Sequence, residues 1–445
     1  MQPTPPGPVP AITHEDRDRA FDRLRVLRAR GGRGGWNRLW LLWLLIGPGI
    51  LVMLGENDAP SMLAYSATGA QFGIGFFLPF IVLTFVMAFV VQEMTVRLGA
   101  ACHRGHAELI FDRFGPFWGW FALGDLLLGN FLTLIAEFIG VRAGLGYFGI
   151  SPIIAVGGAF LVLAGVVMTG RYWTWERLTL MLAAGNLLFI PIAIFSHPSW
   201  GAAGHAFLTW QPMPSRWNNQ TWLILVADIG ATVTPWMLFF QQGAVVDKGL
   251  TPQDIGLGKF DTLLGATLAA LAACATIIIT APLHAHPMPW AHYQAAQFAQ
   301  ALRPWLGGWG AGLFAFAIFD AGLLAAIAIA TSSAYALGEV LHRPHSLNQP
   351  FREGGTFYGV LLAGAAVAAA IVLIPGMPLE TMVLIVNVIA VLAMPPALLF
   401  LYLLVNDRQV IGEARASRGL NLATLLVVLA LLGAGLFYAV SVLRG

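Results

Sequence analysis

The segment Gly55-Glu56-Asn57-Asp58-Ala59-Pro60-Ser61 puts two carboxylates, an amide, a proline and a hydroxyl in the middle of an apolar stretch running from Leu39 to Thr68. A helix needs about 20 apolar residues to cross a bilayer, so the stretch reads as a membrane span with a polar centre. A charge at that depth costs roughly 2.5–3.5 kcal/mol or more and normally faces a cavity or a partner. Pro60 removes a backbone donor and disfavours helix in the residue before it. The predicted chemistry is cation binding at an unwound midpoint, with the Asp58 carboxylate, the Ser61 hydroxyl and freed carbonyls such as that of Gly55 as oxygen donors. A second apolar segment is broken in the same way by Asp228-Ile229-Gly230-Ala231-Thr232-Val233-Thr234-Pro235-Trp236. Its donors would be the Ala231 carbonyl and the Thr234 hydroxyl.

The elements that must position these groups are membrane helices. The chain has 445 residues, 58% hydrophobic and only 10% charged, with a formal net charge of +2. Soluble domains carry about 25% charged residues, so this is a polytopic membrane protein, and nothing in its charge points to nucleic acid. Two cysteines, Cys102 and Cys274, lack metal-ligand spacing. Hydropathy gives about eleven spans, near 39–68, 74–99, 117–147, 151–170, 172–196, 221–245, 259–284, 309–341, 356–375, 380–405 and 420–443. Residues 1–38 read as an Arg-rich cytoplasmic tail, partly disordered, and 39–443 as one transporter domain. The polar stretches 198–220 and 284–304 read as external loops.

Twenty Lys and Arg residues fall on one side of this arrangement, eight of them in the tail, and three (Arg216, Arg303, Arg444) on the other. Positive residues favour the cytoplasmic side. The expected topology therefore has the N-terminus inside and the C-terminus outside, in a plasma membrane of bacterial type. The broken spans are the first and the sixth. Paired interruptions five spans apart point to a transporter of two inverted five-helix repeats, about 39–196 and 221–405, with 420–443 as an extra helix.

With these residues in place, the chain resembles the NRAMP (natural resistance-associated macrophage protein) family of proton-coupled divalent metal transporters. Gly47-Pro48-Gly49 followed by Asp58-Ala59-Pro60-Ser61 is similar to the family's GPG…DPGN element, and Ala136-Glu137-Phe138-Ile139-Gly140 to its AEVIG element. Gly230-Ala231-Thr232-Val233-Thr234-Pro235-Trp236 is similar to GATVMPH, and Asp407-Arg408-Gln409-Val410-Ile411-Gly412-Glu413 to the segment after span ten. The resemblance implies an all-α, LeuT-like inverted-repeat fold with helices 1 and 6 broken, and a divalent cation as substrate with no separate cofactor. The implied partners are that ion, protons and the lipid bilayer; the pattern fixes no oligomeric state.

The site departs from the family pattern. Ser61 stands for its Asn, Thr234 for its Met, Trp236 for its His, Leu134 for an acidic residue of span three and Ala393 for a glutamine of span ten, with Asn387 near another glutamine position. Losing the soft thioether leaves hard oxygen donors, which suit Mg²⁺ or Mn²⁺. Losing the imidazole and the span-three acid leaves Glu137 as the route for proton coupling, or no coupling at all. Glu56 has no family counterpart and has three roles open to it: ligand, proton carrier or salt-bridge partner. Asn57 and Asp228 are further cavity candidates, and Asp320 a second-tier one. In span three, Asp125, Glu137 and Arg142 are ionisable; Glu137 and Arg142 lie roughly 140° apart around the helix and do not face each other.

The acids at the cytoplasmic ends, Glu93, Asp261 and Glu339, are expected to pair with the Arg excess. His284, His286 and His292 share an external loop. A LeuT-fold carrier of a small organic solute and a non-transporting homologue are the competing readings. A membrane enzyme lacks support, because no HExxH or GxSxG element occurs.

Overall fold

A backbone inside hydrocarbon must satisfy its own hydrogen bonds, and a helix does so within one segment. In the computed structural model, which describes residues 47–213, 219–286, 294–349, 351–377 and 379–443, every regular element is helical. The tail 1–38, the start of the first span, Arg216, Trp217, His292 and Arg444 lie outside the described residues.

The first span is two helices, α1 (Pro48–Glu56) and α2 (Ala59–Phe72). There follow α3 (Phe77–Cys102), a short α4 (His106–Phe114), α5 (Pro116–Gly146) and α6 (Pro152–Val167). The fifth span is α7 (Tyr172–Asn186) with α8 (Phe189–Phe195), and α9 (Trp200–Thr209) follows it. The sixth span is again two helices, α10 (Asn219–Gly230) and α11 (Pro235–Lys248). The rest are α12 (Ile255–Thr280), α13 (Ala295–Val340), α14 (Gly355–Val372), α15 (Leu379–Asn406), α16 (Arg408–Ile411) and α17 (Arg418–Leu443). Nine described helical stretches are long and apolar enough to cross a membrane. The shorter α6 and the interrupted first span bring the crossings to eleven.

The two stretches expected as loops are partly helical. Residues 200–209 form α9, capped where the Ser199 hydroxyl accepts from the Ala202 amide at 3.3 Å, and its Trp200, Phe207 and Leu208 are exposed. In the second stretch α13 already begins at Ala295 and bends at Gly307, where φ is 66°. His284 bonds the Gln71 carbonyl at 2.7 Å.

Span ends show where sequence reasoning paired charges wrongly. Among the described residues Asp261 on α12 forms no ion pair with an arginine. Its carboxylate accepts from the amides of Gly47 (3.1 Å), Gly49 (2.6 Å) and Ile50 (3.3 Å), capping α1. Glu339 likewise accepts from Ala107 (2.9 Å) and Glu108 (3.4 Å) at the start of α4. The first amides of a helix lack partners and lie at its positive dipole end, so a carboxylate satisfies them as an arginine cannot. Glu93 does pair as expected, with Arg97 one turn on. Lys248, counted above among the topology-setting cations, is fully buried against Glu176 at 2.7 Å. Asp407, beside the N-terminus of α16, is held below the usual carboxylate range by the Gln409 amide and by Arg113, whose Nε lies 2.5 Å away.

Around the first break, α2 is wedged between α5 and α13. A Cβ added at Gly140 would stand 2.1 Å from the Ala59 Cβ, and one at Gly322 would stand 2.9 Å from the Glu137 carbonyl. Gly140→Val is therefore expected to destabilise the bundle by about 1–3 kcal/mol through overpacking. The check is earlier loss of the monodisperse species on heating in detergent.

Candidate metal-ion site

The break in the first span has a local cause. Asp58 takes an extended backbone and caps α2, its Oδ1 accepting from the Ser61 amide at 2.8 Å, while Pro60 sits in the first turn, where no amide is needed. Asp58 and Ser61 thus meet through a cap, not as side chains sharing a helical face. In the sixth span Thr234 is the residue before Pro235 and holds the N-cap position of α11, yet its hydroxyl makes no cap. It is donated across the break to Glu56 Oε2 at 2.7 Å.

A second carboxyl reaches the same break from α5. Glu137 Oε2 accepts from the amide of Ala59, the residue next to Asp58, at 3.1 Å, so a second buried carboxyl borders the break. Glu56, Asp58 and Glu137 are 0–1% exposed, and each keeps one oxygen with no partner, as does the Ser61 hydroxyl. Among the described residues no ion pair includes any of the three acids. No group of three or more His, Cys, Asp or Glu side chains converges there as a ready-made cage. An ion at this break would take its remaining ligands from hydroxyls, carbonyls and water.

The structure brings Gly55, Glu56, Asp58, Ser61, Glu137, Ala231, Thr234 and Trp236 together. Trp236 lies over Gly55, where an added Cβ would be 3.2 Å from the indole ring. The Ala231 carbonyl is already engaged by the Tyr65 hydroxyl at 2.8 Å. Asn57 turns away to donate to the Ala269 carbonyl at 2.9 Å. Asp228, buried one turn before Ala231, accepts from the Thr68 hydroxyl at 2.8 Å.

Two candidates, Arg142 and Asp320, stand apart from the break, and Asn387 meets the end of α10 through its backbone. Arg142 donates to the Val372 carbonyl at 2.7 Å, Asp320 abuts Gly185 of α7, and the Asn387 backbone abuts Gly230. Asp125 is half-buried on α5. Sequence reasoning missed Tyr65, Thr68 and Asn186, which donates to the Leu54 carbonyl near the end of α1 at 3.0 Å. The available signal was spacing: Ser61, Tyr65 and Thr68 recur on one face of α2.

Residues 49–441 match the family described as natural resistance-associated macrophage protein-like. The chain belongs to that family. Its curated relatives in the family include the divalent metal cation transporter MntH of Yersinia pestis (strain Pestoides F), 24% identical over 419 residues that cover 90% of this chain and 95% of the relative. The MntH of Brucella suis biovar 1 (strain 1330) is 30% identical over 291 residues, 62% of each chain. A solved structure of the Eremococcus coleocola manganese transporter, in complex with an aromatic bis-isothiourea substituted compound, superposes with a TM-score of 0.69 at 18% identity. That likeness covers 93% of this chain and 97% of the transporter's. MhsT in complex with L-phenylalanine gives a TM-score of 0.53 at 17% identity, over 88% and 98% of the two chains. The family member described here is thus an integral membrane protein with the LeuT-like fold, its first and sixth helices broken.

Proposed function

We propose that the protein carries a divalent metal cation across the membrane by alternating access, binding it between the broken first and sixth spans. The observation that carries this reading is the set of buried carboxyls at the break, Glu56, Asp58 and Glu137, none of which forms an ion pair with a basic side chain among the described residues. The relatives' names as divalent metal cation transporters point the same way. Asp58, Ser61, Thr234 and the carbonyls at Gly55 and Ala231 are the proposed ligands. Glu56, linked to Thr234, joins them as an additional carboxylate.

An all-oxygen set with room for retained waters suits Mg²⁺, and after it Mn²⁺. Coupling, where present, runs through Glu137, whose carboxyl borders the break beside Asp58. The same carboxyls disfavour the competing reading of an organic solute held by its carboxylate. In this reading the repeats are about 39–196 and 221–405, and the N-terminus is cytoplasmic.

The test is uptake of Mg²⁺, Mn²⁺ and Ca²⁺ into proteoliposomes beside an internal pH dye. Uptake of at least one ion is expected; none for any ion overturns the reading, and uptake without acidification removes the coupling alone. Thr234→Met restores a soft donor and is expected to shift selectivity towards Mn²⁺ over Mg²⁺ by about tenfold, or roughly 1.4 kcal/mol. The check is competition uptake with both ions.

A further inference from the structure

We infer that Asp228, Thr68 and Tyr65 form a second cation station, which a partly hydrated divalent cation occupies on its way to or from the central site. The inference rests on the transport reading above and adds a site on the α10 side of the break.

Asp228 is fully buried in a membrane span. Its Oδ2 accepts from the Thr68 hydroxyl at 2.8 Å, and its Oδ1 has no partner. Among the described residues no ion pair includes it. A tie between α2 and α10 needs only one of those oxygens. The second is buried without a partner, and the ionised carboxylate is expensive at membrane depth unless a cation visits.

The surroundings make this a step on a path. Ser61, Tyr65 and Thr68 lie at i, i+4 and i+7 on one face of α2, all fully buried. Asp228 and Ala231 lie at i and i+3 on the facing helix α10 and its end. Cross-bonds join them as rungs, Thr68 to Asp228 and Tyr65 to the Ala231 carbonyl at 2.8 Å. The inner end of the track is Asp58, whose carboxylate holds the Ser61 amide. At 1.5 Å per residue, Thr68 stands about 10 Å along α2 from Ser61.

Between the two stations is the Tyr65 hydroxyl, within electrostatic reach of Asp228 on one side and of Glu56 and Asp58 on the other. While it bonds the Ala231 carbonyl it closes the track; released, it offers an oxygen to a passing ion. The track's donors are oxygens alone, which selects a hard cation that keeps part of its water shell.

The experiment is equilibrium Mn²⁺ binding to the full-length protein in detergent, read by electron paramagnetic resonance, beside Mn²⁺ uptake. Two binding events per chain are expected in the wild type. Asp58→Ala should retain one, and Asp228→Asn in that background should remove it. Alone, Asp228→Asn is expected to raise KM for uptake about tenfold while kcat stays within about twofold, the pattern of a lost approach site. Thr68→Val should weaken the same event.

An event in Asp58→Ala that survives Asp228→Asn overturns the inference. So does an Asp228→Asn chain that melts earlier with stoichiometry and KM unchanged, because the residue is then only a helix tie. Failure of the transport reading looks different: the Asp58-dependent event and all flux are absent, while the Asp228-dependent event is still scored in Asp58→Ala.

Discussion

Asp58→Ala is expected to lower divalent-cation uptake at least about 100-fold, equivalent to roughly 2.8 kcal/mol. The substitution removes the buried carboxylate of the break, and with it the acceptor that caps α2. Charge and cap are separable. Asp58→Asn keeps a side-chain oxygen for the Ser61 amide and loses only the charge, so it should fold like the wild type and still fail to transport. Glu137→Gln tests the neighbouring role. It preserves an acceptor for the Ala59 amide but carries no dissociable proton. Its expected signature is uptake that persists while the accompanying acidification is lost. Uptake in Asp58→Asn at the wild-type rate would remove the central carboxylate from the mechanism.

Lys248→Met is expected to destabilise the protein by about 3–5 kcal/mol, the usual cost of leaving a buried charge without its partner. Glu176 and Lys248 are both 0% exposed and 2.7 Å apart, and the Tyr172 hydroxyl donates to the same Glu176 oxygen at 3.2 Å. The Lys248 ammonium also lies 5.2 Å from the centre of the Trp173 ring. The pair ties the end of α11 to the start of α7, close to Gly47 at the mouth of α1. Because the cost is that of an orphaned charge, the double variant Lys248→Met/Glu176→Gln should recover much of the loss. A double-mutant cycle by thermal unfolding in detergent measures the coupling. Strict additivity of the two single losses would mean that the pair contributes nothing as a pair.

The sequence exposed whatever had a local cause. The break at Asp58 was legible because a proline and a capping carboxylate act over three or four residues, and the break at Pro235 because its proline acts as locally. Their repetition five spans apart carried the fold. The fate of individual oxygens was not legible, because it depends on contacts between distant segments. Thr234 and Glu56 are 178 residues apart, and Asp261 caps Gly47 across 214. Composition offered arginines as partners for Asp261 and Glu339, whereas the nearest unsatisfied donors were backbone amides. Tyr65 was overlooked because an aromatic ring inside an apolar helix reads as packing until the carbonyl opposite it is known.

A site halfway through the bilayer also lies partway down the membrane potential. Moving one elementary charge across 100 mV is worth about 2.3 kcal/mol, so a divalent ion that crosses alone is driven by roughly 4.6 kcal/mol. Reaching the break takes up on the order of half of that. A carrier that moves the divalent ion alone would therefore be electrogenic, its current growing with voltage and its affinity differing with the sign of the potential. A proton carried in the same direction would add half as much again to the charge moved in each cycle.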